Sequence, residues 1–328
     1  MSCRHMLSLA ITALVLAILA VSLSGKPSSA QTCPAGKITI VVGFAPGGFA
    51  DTTARFVAEG LRERLRQTIV IENRAGAGGN IAAALVAQAA PDGCTLLATT
   101  TALAINETFV ASKPFSANDL KTVAIVTSNP EALATSPGNP ADSLSAFIKA
   151  MNGKVINFGS AGTGTGSHIE AEYFFKNIAK VPAQHIPFQG GAPAATAVMG
   201  NQVDLLAATL SGEVAGQIRA GNLKGLGIAA DKRSAAVPDV PTFAEQGFPN
   251  FTAASWVGFF APAKTDPRVL ETLNLAINQV MTSPDIQARL VSLGFDPLTG
   301  SQAEADKMFN AEIRKWGDMV KASNLSNR

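Results

Sequence analysis

Residues 37–44, KITIVVGF, form a short β-branched run that ends in Ala45-Pro46-Gly47-Gly48 and passes into a helical repeat. Ala54, Val57, Ala58, Leu61 and Leu65 fall at helical spacing, with Arg55, Glu59, Arg62 and Glu63 elsewhere on the wheel. The order then repeats: TIVIEN (68–73), the glycine loop AGAGG (75–79), a helix over 81–90 capped by Asn80, and CTLLATT (94–100). Strand, helix, strand, helix, strand with short connections predicts a parallel, doubly wound α/β sheet.

The pattern restarts in mid-chain. VINFGS (155–160) runs into Ala161-Gly162-Thr163-Gly164-Thr165-Gly166, and a helix follows with Ala171, Phe174, Phe175 and Ile178 on one face. Further units are QHIPF (184–188), a helix over 193–200, VDLLAA (203–208), a helix over 213–220 and LKGLGIAA (223–230). From Asp266 the chain turns helical and ends in an amphipathic segment carrying Met308, Ile313, Trp316 and Val320. Two strand–glycine loop–helix units, 41–56 and 155–178, predict two α/β domains with a cleft between them.

Before the first strand, Arg4 and His5 precede an apolar run from Met6 to Leu23, followed by Gly25, Pro27 and Ser28-Ser29-Ala30. A basic start, an apolar middle and a small-residue end read as a secretory signal cut after Ala30, the alternative being a retained anchor. Cleavage removes Arg4 and Lys26 and no acid, leaving 24 basic against 24 acidic residues. Such a balance gives no electrostatic footprint for nucleic acid or an anionic membrane. Two cysteines remain, Cys33 and Cys94, each just before a predicted strand. In an oxidising compartment they are either a disulfide or two small buried hydrophobes.

A helix N-terminus offers four unpaired N–H groups and about half a positive charge, and a glycine-rich approach uncovers them. Both loops are therefore suited to an anion such as phosphate, sulfate or carboxylate. Asp51 is expected at the cap of the first helix, and Ser167-His168-Ile169-Glu170 as a capping box at the second. Thr100 and Thr101 stand past the third strand, at the carboxyl edge where open α/β sheets bind ligands. No Walker motif occurs, GSAGTGTGS gives no G-x-G-x-x-G, and Phe158-Gly159-Ser160-Ala161-Gly162 lacks the first glycine of a nucleophile elbow. His168 and His185 are the two histidines beyond residue 30, read as a surface residue and a structural one. They make no metal cluster.

With these residues in view, the chain resembles the Bug-type (Bordetella uptake gene) extracytoplasmic solute receptors of tripartite tricarboxylate transporters. The matching stretches are IVVGFAPGGFADTTARFVAEGL, IVIENRAGAGGNIAAALVAQAAPDGCTLL, INFGSAGTGTGSHIEAEYF, IPFQGGAPAATAVMGNQVDLL and SWVGFFAPAKTDP, which cover most of the chain. The resemblance implies a type II periplasmic-binding-protein fold with no cofactor, no metal and no catalysis. Two α/β domains, 31–130 plus 255–328 and 131–254, would be joined by a two-segment hinge near Ser128-Asn129-Pro130 and Ala254-Ser255-Trp256. It further implies that two pincer loops hold a small carboxylate: Gly47, Gly48, Phe49, Ala50 and Asp51 in the first, Ser160, Ala161, Gly162, Gly164, Thr165 and Ser167 in the second. Asp204 falls at a family position near the cleft floor. The implied partners are a di- or tricarboxylate, amino acid or aromatic acid and the permease subunits of a transporter, with the receptor a periplasmic monomer.

Gly43 and IPFQGG depart from the family pattern. Phe49 is bulky for a pincer loop and is expected to stack on an aromatic acid or narrow the pocket. Neither loop contains Arg or Lys, which disfavours a strongly polyanionic ligand. The competing functions are a sensor with the same pocket and an exported hydrolase using Ser160.

Overall fold

The computed structural model describes Cys33 and residues 35–325; the predicted leader lies outside the described residues. β1 (Lys37–Val42), α1 (Phe49–Leu65), β2 (Thr68–Asn73), α2 (Asn80–Ala87), β3 (Thr95–Thr100) and α3 (Ala102–Phe109) form the first run. β1 pairs in parallel with both β2 and β3. After β4 (Leu120–Thr135) come α4 (Leu144–Ala150), β5 (Ile156–Ser160), α5 (Gly166–Tyr173), β6 (Ala183–Pro187), α6 (Gly191–Met199), β7 (Leu205–Thr209), α7 (Gly212–Arg219) and β8 (Lys224–Ile228). The chain returns through β9 (Ala254–Pro262) and ends in α8 (Pro267–Met281), α9 (Pro284–Ser292) and α10 (Gln302–Ala322).

The strands lie in the order β2-β1-β3-β9-β4-β7-β5-β6, with β8 on β4. The sheet is mixed rather than wholly parallel as the sequence predicts, because the two crossing strands run against their neighbours. β4 pairs antiparallel with β9 over Leu120–Pro130 and with β7 over Glu131–Ala134. It thus belongs to two wings of the sheet at once, and its 16 residues are long for a strand. Ser128, Asn129 and Pro130 face Trp256, Ser255 and Ala254 where the wings meet.

β1 shows why both faces need helices. Ile38, Ile40 and Val42 are buried with α1 and α8 on one face, while Val41 joins the core on the other. α1 and α8 approach closely at Gly60, where a Cβ would lie 2.6 Å from Val280 Cγ2. In the second wing α5 continues into a π-helical turn, Phe174–Ala179. The extra residue in that turn lets adjacent Phe174 and Phe175 both point inward, at 0% and 1% exposure. Trp256 and Trp316 are both buried and donate their indole N–H groups to Glu312 Oε2, at 3.1 and 2.7 Å, so Trp256 serves packing beneath α10.

Cys33 and Cys94 are joined as a disulfide, with Cα atoms 4.8 Å apart and 61 residues between them in sequence. The bond staples the segment before β1 to the start of β3, whose Cys94 carbonyl accepts from Thr39 N–H. Closing a loop of that length stabilises by about 4 kcal/mol on the chain-entropy account. Cys33→Ser is expected to lower the thermal midpoint by several degrees, and an unchanged midpoint would show that the staple adds nothing.

Candidate ligand-binding site

The carboxyl ends of β1, β3, β5 and β7 all point to the line where the wings meet, so their loops converge there. At the first loop the helix begins at Phe49, with Gly48 at the cap position and Gly47 at φ 82°. Asp51 is therefore not the cap. It lies in the first turn, and its buried carboxylate turns back to accept from Gly47 N–H at 2.8 Å. Arg55 Nε (2.8 Å) and Asn73 Nδ2 (2.8 Å) also donate to it. Burial opposes its charge, yet these hydrogen bonds hold Asp51 below the usual carboxylate range. Asp51 thus shapes the loop, and the first-turn N–H groups of Phe49 and Ala50 are those a helix cannot pair internally.

Phe49 does not present a free ring. It packs edge-on against Phe295, with centroids 5.3 Å apart. The glycine loop before α2 contributes more than the sequence suggested. Its Gly79, and not Asn80, holds the cap position of α2. A Cβ on Gly79 would sit 3.5 Å from Phe44 and 3.3 Å from Thr99 Oγ1. Buried Asn106 on α3 donates to Gly78 O (3.2 Å) and Asn80 Oδ1 (3.1 Å). Its other side meets the second loop, where a Cβ on Gly164 would be 3.3 Å from Asn106 Oδ1 and 3.2 Å from Phe109. Contacts therefore run from the first loop through 76–79 and Asn106 to Gly164.

The second loop is braced from within. Thr165, and not Ser167, caps α5: its Oγ1 accepts from His168 N–H (3.4 Å) and donates to Gly162 O (2.7 Å). The predicted capping box fails because α5 starts one residue before Ser167, which leaves Glu170 facing the interior. Gly164 N–H donates to His168 Nδ1 at 3.1 Å, which requires an unprotonated Nδ1. Burial, then the neighbouring His185, pushes His168 down to about 3, and burial pushes His185 down to about 4. Far from lying on the surface, His168 is buried, and the two rings stack at 3.9 Å.

Ser160 Oγ and His185 Nε2 are 2.6 Å apart, a base beside a hydroxyl that the sequence did not reveal. It is the contact of a nucleophile pair. Ser160 is wholly buried, however, and its Oγ also accepts from Gly162 N–H at 3.2 Å. Among the described residues no carboxylate hydrogen-bonds to His185. The pair has the arrangement of a brace for the loop.

Thr101, fully buried, is hydrogen-bonded to Ser255 at 3.0 Å. Ser255 in turn donates to Glu131 Oε1 (2.6 Å), which also accepts from Thr209 (3.2 Å). A Cβ on Gly166 would be 2.5 Å from Ser255 Oγ and 2.7 Å from Glu131 Oε1, so α5 abuts this group because residue 166 has no side chain. Glu131 is completely buried, and burial pushes its carboxyl up to about 7 despite the bonds from Ser255 and Thr209. Thr100 spends its hydroxyl on Ala102 N–H at 3.3 Å. Asp204 stands elsewhere than expected. It accepts from Asn157 N–H at 2.8 Å and so ties β7 to β5 at their amino ends, away from the loop that leaves at Ser160.

A family model described as the tripartite tricarboxylate transporter family receptor, TctC, matches residues 53–325. The chain belongs to this receptor family. It is 34% identical over 307 residues to protein BugT of Bordetella pertussis, covering 90% of this chain and 91% of that protein. Among solved structures, MatC of Rhodopseudomonas palustris with bound malate is 32% identical, with a TM-score of 0.80 over 87% of this chain and 98% of that one. R. palustris Rpa4515 with adipate is 28% identical, with a TM-score of 0.82 over 88% and 98%. The TctC family consists of solute-binding receptors, and the fold seen here is the α/β architecture of its periplasmic binding proteins.

Proposed function

We propose that this receptor captures a small carboxylate between the loop before α1 and the loop before α5 and presents it to the permease of a tripartite tricarboxylate-type transporter. One observation carries the reading. Two glycine-rich helix starts, one from each wing, are brought to the line where the carboxyl ends of the oppositely running strands of the two wings meet, and each keeps first-turn N–H groups free for an oxyanion. The malate and adipate held by MatC and Rpa4515 favour a carboxylate over other anions. In this reading the wings are domains 31–130 plus 255–328 and 131–254, and the crossing strands bend at Ser128–Glu131 and Ala254–Trp256. Residues 1–30 are removed on export, and the receptor works as a periplasmic monomer. Phe49 and Ala50 offer N–H groups from the first loop, Ala161, Gly166 and Ser167 from the second. Asp51, Ser160, His168 and His185 hold those loops in shape.

A thermal-shift screen of the purified protein against malate, adipate, succinate, citrate, aspartate, nicotinate and phthalate tests this. A ligand at ~100 times its dissociation constant adds about 2.7 kcal/mol, a shift of several degrees. Silence across the panel from protein that has been denatured and refolded to strip any retained ligand would overturn the reading.

A further inference from the structure

Glu131 stands at the middle of a hydrogen-bonded chain that crosses the meeting line of the wings. Thr101 comes from the first wing, Ser255 from β9, Glu131 from β4 and Thr209 from the second wing. Oε1 takes both bonds, while the equally buried Oε2 has no partner. Such a carboxylate would need a counter-charge, and no ion pair to Glu131 occurs among the described residues.

The neighbouring elements supply none either: on α10, packed against β4 and α5, Lys307, Arg314 and Lys321 are exposed and Lys315 pairs with Glu312. α5 brings Glu170, a second fully buried carboxyl with neither oxygen paired, together with His168 and Glu172. β7 and β9 carry no titratable side chain. β8 has only Lys224, which is engaged by Asn139 O and Asp142. On α3, Glu107 is paired with Lys113. This surrounding costs a neutral acid less than an anion.

We propose that the receptor takes up one proton together with its ligand, and that Glu131 is the group that binds it. The proposal rests on the proposed function, with the wings closing on the ligand by bending at Ser128–Glu131 and Ala254–Trp256. In the state described here α5 lies against Thr101 and Ser255, and Gly164 lies against Asn106 and Phe109. Opening the wings draws α5 and the Thr101 turn apart and lets water reach Glu131, which then ionises as an ordinary glutamate. Closing them removes that water and leaves the neutral form favoured. Protonation and closure therefore assist each other. With a carboxyl near its ordinary 4.5 when open and about 7 when closed, the closed-to-open ratio rises up to about 30-fold from pH 8 to pH 5.5.

Two measurements decide it. The first is small-angle scattering of the ligand-free protein between pH 5.5 and 8. The wild type should become more compact toward the acid end with a midpoint below 7 and above the ordinary 4.5, while Glu131→Gln should be equally compact throughout. A flat wild-type profile overturns the proposal, whether or not the variant folds and whatever ligand is bound. The second is titration calorimetry at pH 6.5 with malate and adipate as probes, in two buffers of different ionisation enthalpy. The wild type should take up most of a proton per probe bound and Glu131→Gln almost none. Unchanged uptake in Glu131→Gln, or its loss in Glu170→Gln instead, rejects Glu131 as the carrier. If neither probe binds, the carboxylate reading suffers and the scattering profile alone decides the proton linkage.

Discussion

Gly212→Ala should hold the two wings apart. A Cβ at residue 212 would lie 1.8 Å from Leu293 O, 2.3 Å from its carbonyl carbon and 2.7 Å from its Cα, all backbone atoms that cannot rotate away. Gly212 is not among the residues with positive φ, so alanine suits the backbone there and the clash is the whole effect. The strip it meets is fixed to the crossing strand by four bonds: Ser128 N–H to Asp296 O (3.1 Å), Leu298 N–H to Val126 O (2.7 Å), Asp296 N–H to Asn129 Oδ1 (3.4 Å) and Asn129 Nδ2 to Gly294 O. The same asparagine donates to Leu210 O at 3.0 Å, so the close approach of α7 is built in. Overpacking of this kind costs about 1–3 kcal/mol. Where that strain falls on the closed arrangement, ligand affinity drops ~10- to ~100-fold. Gly166→Ala should be milder, since its new Cβ meets the side-chain oxygens of Ser255 and Glu131, which have some freedom to shift. Calorimetry on both variants with whichever acid stabilises the wild type checks the order. Wild-type affinity in Gly212→Ala would show that this contact is no part of closure.

The glycine loops were legible in the sequence because only backbone exposure calls for Gly47-Gly48 and Gly162-x-Gly164 between a strand and a helix. What could not be read was which polar side chains the fold folds inward. Ser167 and Glu170 have the spacing of a capping box, but α5 begins two residues earlier than that box would set it and gives the cap to Thr165, so the helix turns Glu170 into the core. Asp51 fits a cap by type and instead pins Gly47 from inside the first turn. Asp204 sits next to an apolar strand, and only the register of β5 against β7 shows which end of the sheet it serves. Two signals were available and went unused. Glu131 stands between Pro130 and the apolar run Ala132-Leu133-Ala134, and a buried acid there has to be neutral or paired. Asn106 lies in a helix that buries Leu103, Ala104 and Ile105 around it, so its amide needed partners that only the tertiary fold could name.

Burying Glu131 also predicts how stability depends on pH. Its folded carboxyl titrates near 7, above the ordinary 4.5, so the folded protein holds a proton that the unfolded chain has lost between those values. The contribution is complete below about 4.5 and disappears as pH rises through 7, a loss of about 3 kcal/mol at 1.36 kcal/mol per unit. Glu170, raised well above the ordinary value by burial and by the charge of Glu131, acts in the same sense. His168 and His185 oppose them. Their folded values of about 3 and about 4 lie below the ordinary 6.5, so their contribution is complete above 6.5 and is lost as pH falls. Two groups lose stability upward and two downward between about 4.5 and 6.5, and the wild-type thermal midpoint should be nearly level there, declining on both sides. Glu131→Gln should lessen the decline just above 6.5, leaving the share due to Glu170, and tilt the level stretch so that stability rises with pH. A pH series of melting curves for the two proteins decides this; a variant whose profile tracks the wild type above pH 6.5 would mean that Glu131 is already ionised in the folded protein.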